Sequence, residues 1–149
     1  MSDPLYLEDF FVGQRFEAGG FSLDAEQIKG FATQYDPQPF HTDEEAAKDS
    51  FFGGLAASGW QVACLTMKQM IEAGPKVAGG QIGAGGEIRW PRPTRPGDVL
   101  AVSCEVLEVK PSRSKPDRGF VTLRTETKNQ NGETVYVFTC QMLTFRRPG

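Results

Sequence analysis

The sequence predicts an α+β domain in which a curved antiparallel sheet wraps around one long hydrophobic helix. Two features carry that expectation. Residues 60–73 contain neither glycine nor proline, and Trp60, Ala63, Cys64, Met67, Met70 and Ile71 recur at three- and four-residue steps, the spacing of a helix with much of its surface buried. Beyond residue 86 the strand patterns are bunched together rather than alternated with helices, which favours α+β layering over repeated βαβ units. The chain has 149 residues and no repeat, low-complexity tract or linker, so it is expected to form a single domain over residues 1–149 with a real core.

Taken in order, residues 14–18 read as a short first strand ended by Gly19-Gly20. Asp24 then opens a helical pattern with Ile28, Phe31, Ala32 and Tyr35 on one face, capped by Ser22 or Asp24. Pro37 ends it, because proline has no N–H and pushes the preceding residue out of the helical region. Thr42-Asp43-Glu44-Glu45 fits a capping box with Thr42 as N-cap, opening a short helix that runs to about Asp49. Residues 51–57 form a glycine-bearing loop. Ser58 is the expected N-cap of the long helix, and Gly74-Pro75 its stop. Residues 79–86 read as a flexible lead-in to a strand at 87–90, which Pro91-Arg92-Pro93 limits, and Arg95-Pro96-Gly97-Asp98 is a turn. Residues 99–109 alternate, with Leu100, Val102, Cys104 and Val106 on one side, and slip at Leu107 as at a bulge. Residues 120–128 and 133–145 are two more strands, joined at Asn131-Gly132, a strong hairpin signal.

Composition removes several function classes. A net charge of −3 gives no global field toward nucleic acid or anionic membrane. Arginine and lysine gather only locally, at residues 89–95 and 110–118, where solvated loops and a phosphate contact are both open readings. Cys64, Cys104 and Cys140 are far apart and lack a Cys-x-x-Cys spacing, so neither a disulfide framework nor a zinc site is expected; small buried hydrophobes are the default. The first residues lack a basic and then apolar leader pattern, and no run approaches a membrane span. A reducing, cytoplasmic setting is the expectation.

The chemistry centres on residues 35–41, Tyr-Asp-Pro-Gln-Pro-Phe-His, which contain the only histidine, five positions after Asp36. Fully extended, that separation would carry His41 roughly 17 Å from Asp36. The two can act on one small molecule only if the segment curls back. An acid and an imidazole that titrates near neutrality would then share a shaped loop. A second element is Ser58-Gly59 at the start of the buried helix. A helix N-terminus presents unpaired N–H donors and a positive dipole end, and glycine lets a carbonyl oxygen come close. Such an N–H suits a developing oxyanion or enolate.

Asp36-Pro-Gln-Pro-Phe-His41, followed by five residues and Ala47, resembles the Asp-x-Asn-Pro-(aliphatic)-His-(five residues)-Ala/Ser signature of the MaoC-like, (R)-specific enoyl-CoA hydratase family. In that family a helix-starting glycine follows the histidine by about eighteen residues, and Gly59 falls at that place. The similarity extends through the chain, including the turn at Arg95–Asp98. It implies a hotdog fold: a long helix wrapped by an antiparallel sheet, with the signature on a loop that overhangs the sheet. It also implies that Asp36 and His41 hold and activate a water whose hydroxyl goes to the β-carbon of an enoyl thioester, while a proton reaches the α-carbon from the same face. The Gly59 N–H would polarise the thioester carbonyl. Run backwards, the same groups dehydrate a 3-hydroxyacyl thioester.

The chain departs from the signature at Gln38 (usually Asn), Phe40 (usually aliphatic) and Ser58 (usually His). Ser58, Phe40 and Trp60 are the expected substrate-binding residues, although Phe40, Phe51, Phe52 and Trp60 read equally as core. The resemblance implies a CoA thioester as substrate rather than any cofactor or metal, acyl-CoA ahead of acyl carrier protein, and a homodimer or higher homo-oligomer. A hotdog thioesterase and a non-catalytic acyl-CoA-binding protein are the competing readings. The former often uses a carboxylate on the central helix, and here Glu72 comes only at its end.

Overall fold

A computed structural model describes residues 3–149. The elements in chain order are β1 (Arg15–Ser22), α1 (Ala25–Tyr35), α2 (Pro39–Thr42), α3 (Glu44–Lys48), α4 (Gly59–Ala73), β2 (Ile82–Arg89), β3 (Val99–Pro111), β4 (Arg118–Lys128) and β5 (Thr134–Phe145), with one 3₁₀ turn at Leu7–Asp9. The five strands form one antiparallel sheet in the order β1-β3-β4-β5-β2, with α4 packed against it. This is the expected α+β layering of a sheet around one long helix.

The strand pattern of the second half is realised. Leu100, Val102, Cys104 and Val106 are all buried, and the β3–β4 register shifts between Val106 and Glu108, at the slip seen in the sequence. The first strand is longer than expected. It passes through Gly19-Gly20 rather than ending there, with a register shift between Glu17 and Gly20. Gly19 takes φ +71°, and a Cβ on Gly20 would lie 2.2 Å from the Leu100 carbonyl oxygen. The pair that reads as a stop is what lets β1 bulge and still press on β3.

β2 likewise begins at Ile82, inside the stretch expected to be a flexible lead-in, and ends at Arg89. Glycines are depleted in strands because they offer no side chain to pack, but the ladder to β5 needs only backbone groups. Between β4 and β5, Gly132 has positive φ and Asn131 does not. The hairpin therefore turns through residues 129–133 rather than through a two-residue loop with both φ values positive.

Helix α1 is capped by Asp24, which accepts from the Gln27 N–H while Gln27 reciprocates. Ile28 and Ala32 are buried, but Tyr35 is exposed and lies against Phe31. The expected capping box shifts by one residue. Asp43, not Thr42, caps α3 and accepts from Glu45 and Ala46 N–H, whereas Thr42 closes α2.

The largest correction concerns α4. Its buried residues are Gln61, Val62, Thr66 and Met70, while Trp60, Met67 and Ile71 are 56%, 61% and 47% exposed. Cys64 is exposed too; Cys104 is buried and Cys140 half-buried, and all three are free thiols. Thr66 and the Gln61 Nε2 group of the buried stripe are paired, whereas Gln61 Oε1 finds no partner among the described residues. Thr66 and Thr127 hydroxyls are 2.6 Å apart, and Gln61 Nε2 donates to the Gln27 carbonyl. The apolar stripe of α4 borders a groove of about 360 Å³ over the β5–β2 side of the sheet. No helix among the described residues is long and apolar enough to cross a membrane.

Candidate active site

Asp36 is the residue on which α1 stops. Its N–H still bonds to the Ala32 carbonyl, but its backbone leaves the helical region because Pro37 follows. The Asp36 carbonyl accepts from Gln38 N–H at 2.7 Å, which turns the chain, and Pro39 then serves as the first residue of the one-turn helix α2. That turn carries His41 inward to 5% exposure. The curl that the two prolines demand thus closes the reach completely: His41 Nε2 lies 3.3 Å from Asp36 Oδ2.

The hydrogen bonds around the pair fix its protons. His41 Nδ1 is 2.6 Å from the Ala56 carbonyl oxygen. A carbonyl only accepts, so Nδ1 carries hydrogen, and Nε2 is the atom presented to Asp36. Asp36 is held from both sides, by Gln38 Nε2 on Oδ1 at 2.6 Å and by the Ser58 hydroxyl on Oδ2 at 2.7 Å. Burial pushes the carboxyl pKa up, but these two donors and the neighbouring imidazole outweigh it. Asp36 therefore lies below its ordinary 3.8 and is a carboxylate at neutral pH.

The Ala56 carbonyl is itself held in place. The Ala56 and Ala57 N–H groups bond to the carbonyls of Phe40 and Thr94. The Arg95 guanidinium donates to the carbonyls of Gly54 at 2.9 Å, Leu55 at 3.3 Å and Phe52. Arg95 reads in the sequence as part of a turn, which it also is, since Asp98 Oδ2 accepts its N–H. Its grip on the loop that leads to Ala56 has no sequence signal.

Ser58 caps α4 as expected, its oxygen accepting from Trp60 N–H. Among the described residues no acceptor is found for the Gly59 N–H. The space where a Gly59 side chain would sit is taken by the Trp90 indole, 2.6 Å from an ideal Cβ, and Trp90 Nε1–H donates to the Gly59 carbonyl at 2.9 Å. Glycine is thus required for packing as well as for access, and Trp90 is a second site residue that the sequence did not single out.

Asp36, His41 and Gly59 all line one cavity of about 490 Å³, together with Phe51, Phe52, Trp60, Trp90 and Arg92. Of the three residues expected to bind substrate, Trp60 faces this cavity, Ser58 is wholly buried against Asp36, and Phe40 packs edge-on against the His41 ring at 4.6 Å. A larger cleft of about 600 Å³ lies between Tyr6, Asp117, Phe145 and Arg147, but has no acid–imidazole pair. Among the described residues no group of three or more histidine, cysteine or acidic side chains could hold a metal ion.

Two outcomes follow from this geometry. The folded protein binds fewer protons at Asp36 than the unfolded chain, so the ionised carboxylate favours folding above about pH 4, and that contribution is lost as acid protonates the folded form. Urea midpoints measured between about pH 6 and pH 3 should fall less steeply for Asp36→Asn than for the wild type; equal slopes would contradict the assignment. For the clamp, the ¹H–¹⁵N imidazole spectrum reports His41 alone, since it is the only histidine. In Arg95→Met the Nδ1–H form should lose population, and added ethylguanidinium should restore it. A folded variant with an unchanged tautomer would remove Arg95 from the site.

Comparison with known proteins bears on the fold and the family. Residues 10–138 match the family described as FAS1-like, dehydratase domain region. YdeM of Bacillus subtilis is 35% identical over 133 residues, covering 87% of this chain and 92% of YdeM. The crystal structure of a MaoC-like dehydratase from Rhodospirillum rubrum is 52% identical with a TM-score of 0.94, over 97% of this chain and 99% of that one. The unliganded (R)-hydratase PhaJ1 from Pseudomonas aeruginosa is 26% identical with a TM-score of 0.74, over 97% and 88%. The sheet wrapped around α4 is accordingly a hotdog fold, and the chain belongs to the MaoC-like family of dehydratases and hydratases.

Proposed function

We propose that the protein adds water to a 2-enoyl thioester, and removes it from the corresponding (R)-3-hydroxyacyl thioester, with acyl-CoA as the substrate class. The observation that carries this reading is the pairing of His41 Nε2 with the Asp36 carboxylate oxygen, 3.3 Å apart and facing one cavity beside the Gly59 amide. In the neutral imidazole both atoms are acceptors, and a water placed between them donates a hydrogen toward each and turns its own lone pair to the substrate. Its oxygen bonds to the β-carbon, the released proton passes through the imidazole to the α-carbon on the same face, and the Gly59 N–H holds the negative charge that develops on the carbonyl oxygen. The thioester is the substrate, and the reaction as written draws on no cofactor. The (R)-hydratase named above supports the same stereochemistry by likeness.

Hydration of crotonyl-CoA, followed by loss of enoyl absorbance, tests the proposal. Asp36→Asn and His41→Ala should each lower kcat/KM by roughly 10²–10⁴-fold. Full activity in both variants would overturn the mechanism. Release of free thiol without hydration would make the protein a thioesterase, for which α4 offers no carboxylate before Glu72.

The assembly we propose is a homodimer joined along β2. That strand pairs with β5 on one side only, and all of it but Ile88 is exposed, an open edge of the kind that soluble proteins cover. Light scattering should give twice the 16.4 kDa chain mass. A monomer at micromolar concentration would reject it.

A further inference from the structure

The cavity that holds Asp36 and His41 and the apolar groove over β5 and β2 share one lining residue of the α4 N-terminus, Trp60. Trp60 does not stand alone. Its ring meets Trp90 edge-on at 5.1 Å between centroids, and Trp90 in turn lies 6.4 Å from Tyr136, a buried residue that faces the groove. The two indoles are also tied to consecutive residues of one helix. Trp90 is bonded to the Gly59 carbonyl and occupies the place of its missing side chain, and Trp60 is the next residue. Trp90 therefore cannot swing away without giving up its hydrogen bond and its packing on Gly59.

We propose that Trp60 and Trp90 form the end wall of the acyl subsite, so that the enzyme selects short-chain enoyl thioesters and excludes long ones from the groove behind. This rests on the hydration reading above. The groove lining tells which end of the substrate meets the wall. Met67, Ile71, Ile88 and Phe138 offer no charge, and the amides and phosphates of a CoA arm would be stranded against them. An acyl tail has no such groups. The opposite rim of the cavity, with Arg92 and the fully exposed Phe51, is left for the polar arm. A chain too long for the cavity must displace an indole, whereas removing one indole joins cavity and groove into a single apolar channel.

The test compares wild type, Trp60→Leu and Trp90→Leu on crotonyl-, octenoyl- and dodecenoyl-CoA. The wild type should favour crotonyl-CoA over dodecenoyl-CoA by about tenfold or more in kcat/KM, and each variant should shift that ratio toward the longer chain by a similar factor. Trp60 is more than half exposed, so Trp60→Leu keeps the test open if Trp90→Leu does not fold. Equal wild-type rates on all three substrates, or variants that lose activity on all three in proportion, would overturn the wall. Should the wild type hydrate none of them, the hydration reading fails, and calorimetry with butanoyl-, octanoyl- and dodecanoyl-CoA still decides the wall by the same change in chain-length preference.

Discussion

The Ser58 hydroxyl joins the two halves of the site. It is fully buried, accepts the Trp60 N–H that α4 leaves free, and donates its own hydrogen to Asp36. One atom thereby ends the helix and anchors the loop. The carboxylate is drawn to the positive end of α4, and its charge is favoured there both by the hydroxyl and by the aligned peptides behind it. Without that bond Asp36 would keep only Gln38 as a side-chain donor, and a half-buried carboxylate short of donors is costly. The loop would then have no reason to hold His41 where the Ala56 carbonyl can orient it.

That arrangement divides the work between near and far parts of the chain. Residues 36–41 bring acid and imidazole together by local turns that Ser58 anchors, whereas the hydrogen bond at the far side of the imidazole is set from outside. Ala56 supplies the acceptor, and Arg95, reached across forty residues, holds the backbone just before it. The network is polar inside an otherwise apolar wall of Phe40, Phe52 and Trp90, where each hydrogen bond counts for more than it would in water.

What the sequence made legible follows the same division. Two prolines between Asp36 and His41 force a curl, and a serine before a glycine marks a helix start, so the meeting of the acid with the imidazole and the position of the Gly59 amide were readable from a dozen residues. The orientation of α4 was not. It carries two apolar stripes, and the richer one, with Trp60, Met67 and Ile71, is the one the sheet leaves uncovered, while Val62, Thr66 and Met70 face inward. Periodicity counts apolar residues; it does not know which stripe finds partners such as Thr127. The glycines of β1 and β2 misled for a related reason, since ladder bonds and bulges use backbone that propensity does not describe. Arg95 and Trp90 act on carbonyls distant in sequence, and no local pattern announces that.

The short interval that sets the acid and base has an evolutionary consequence. Because Asp36 ends one helix and His41 rides the next turn, their spacing is set within six residues, while Ser58, Ala56 and Arg95 hold them from outside. One inserted or deleted residue between the prolines would rotate the imidazole off its carbonyl at a stroke. The reading frame of the loop is therefore where such a scaffold is least free to vary.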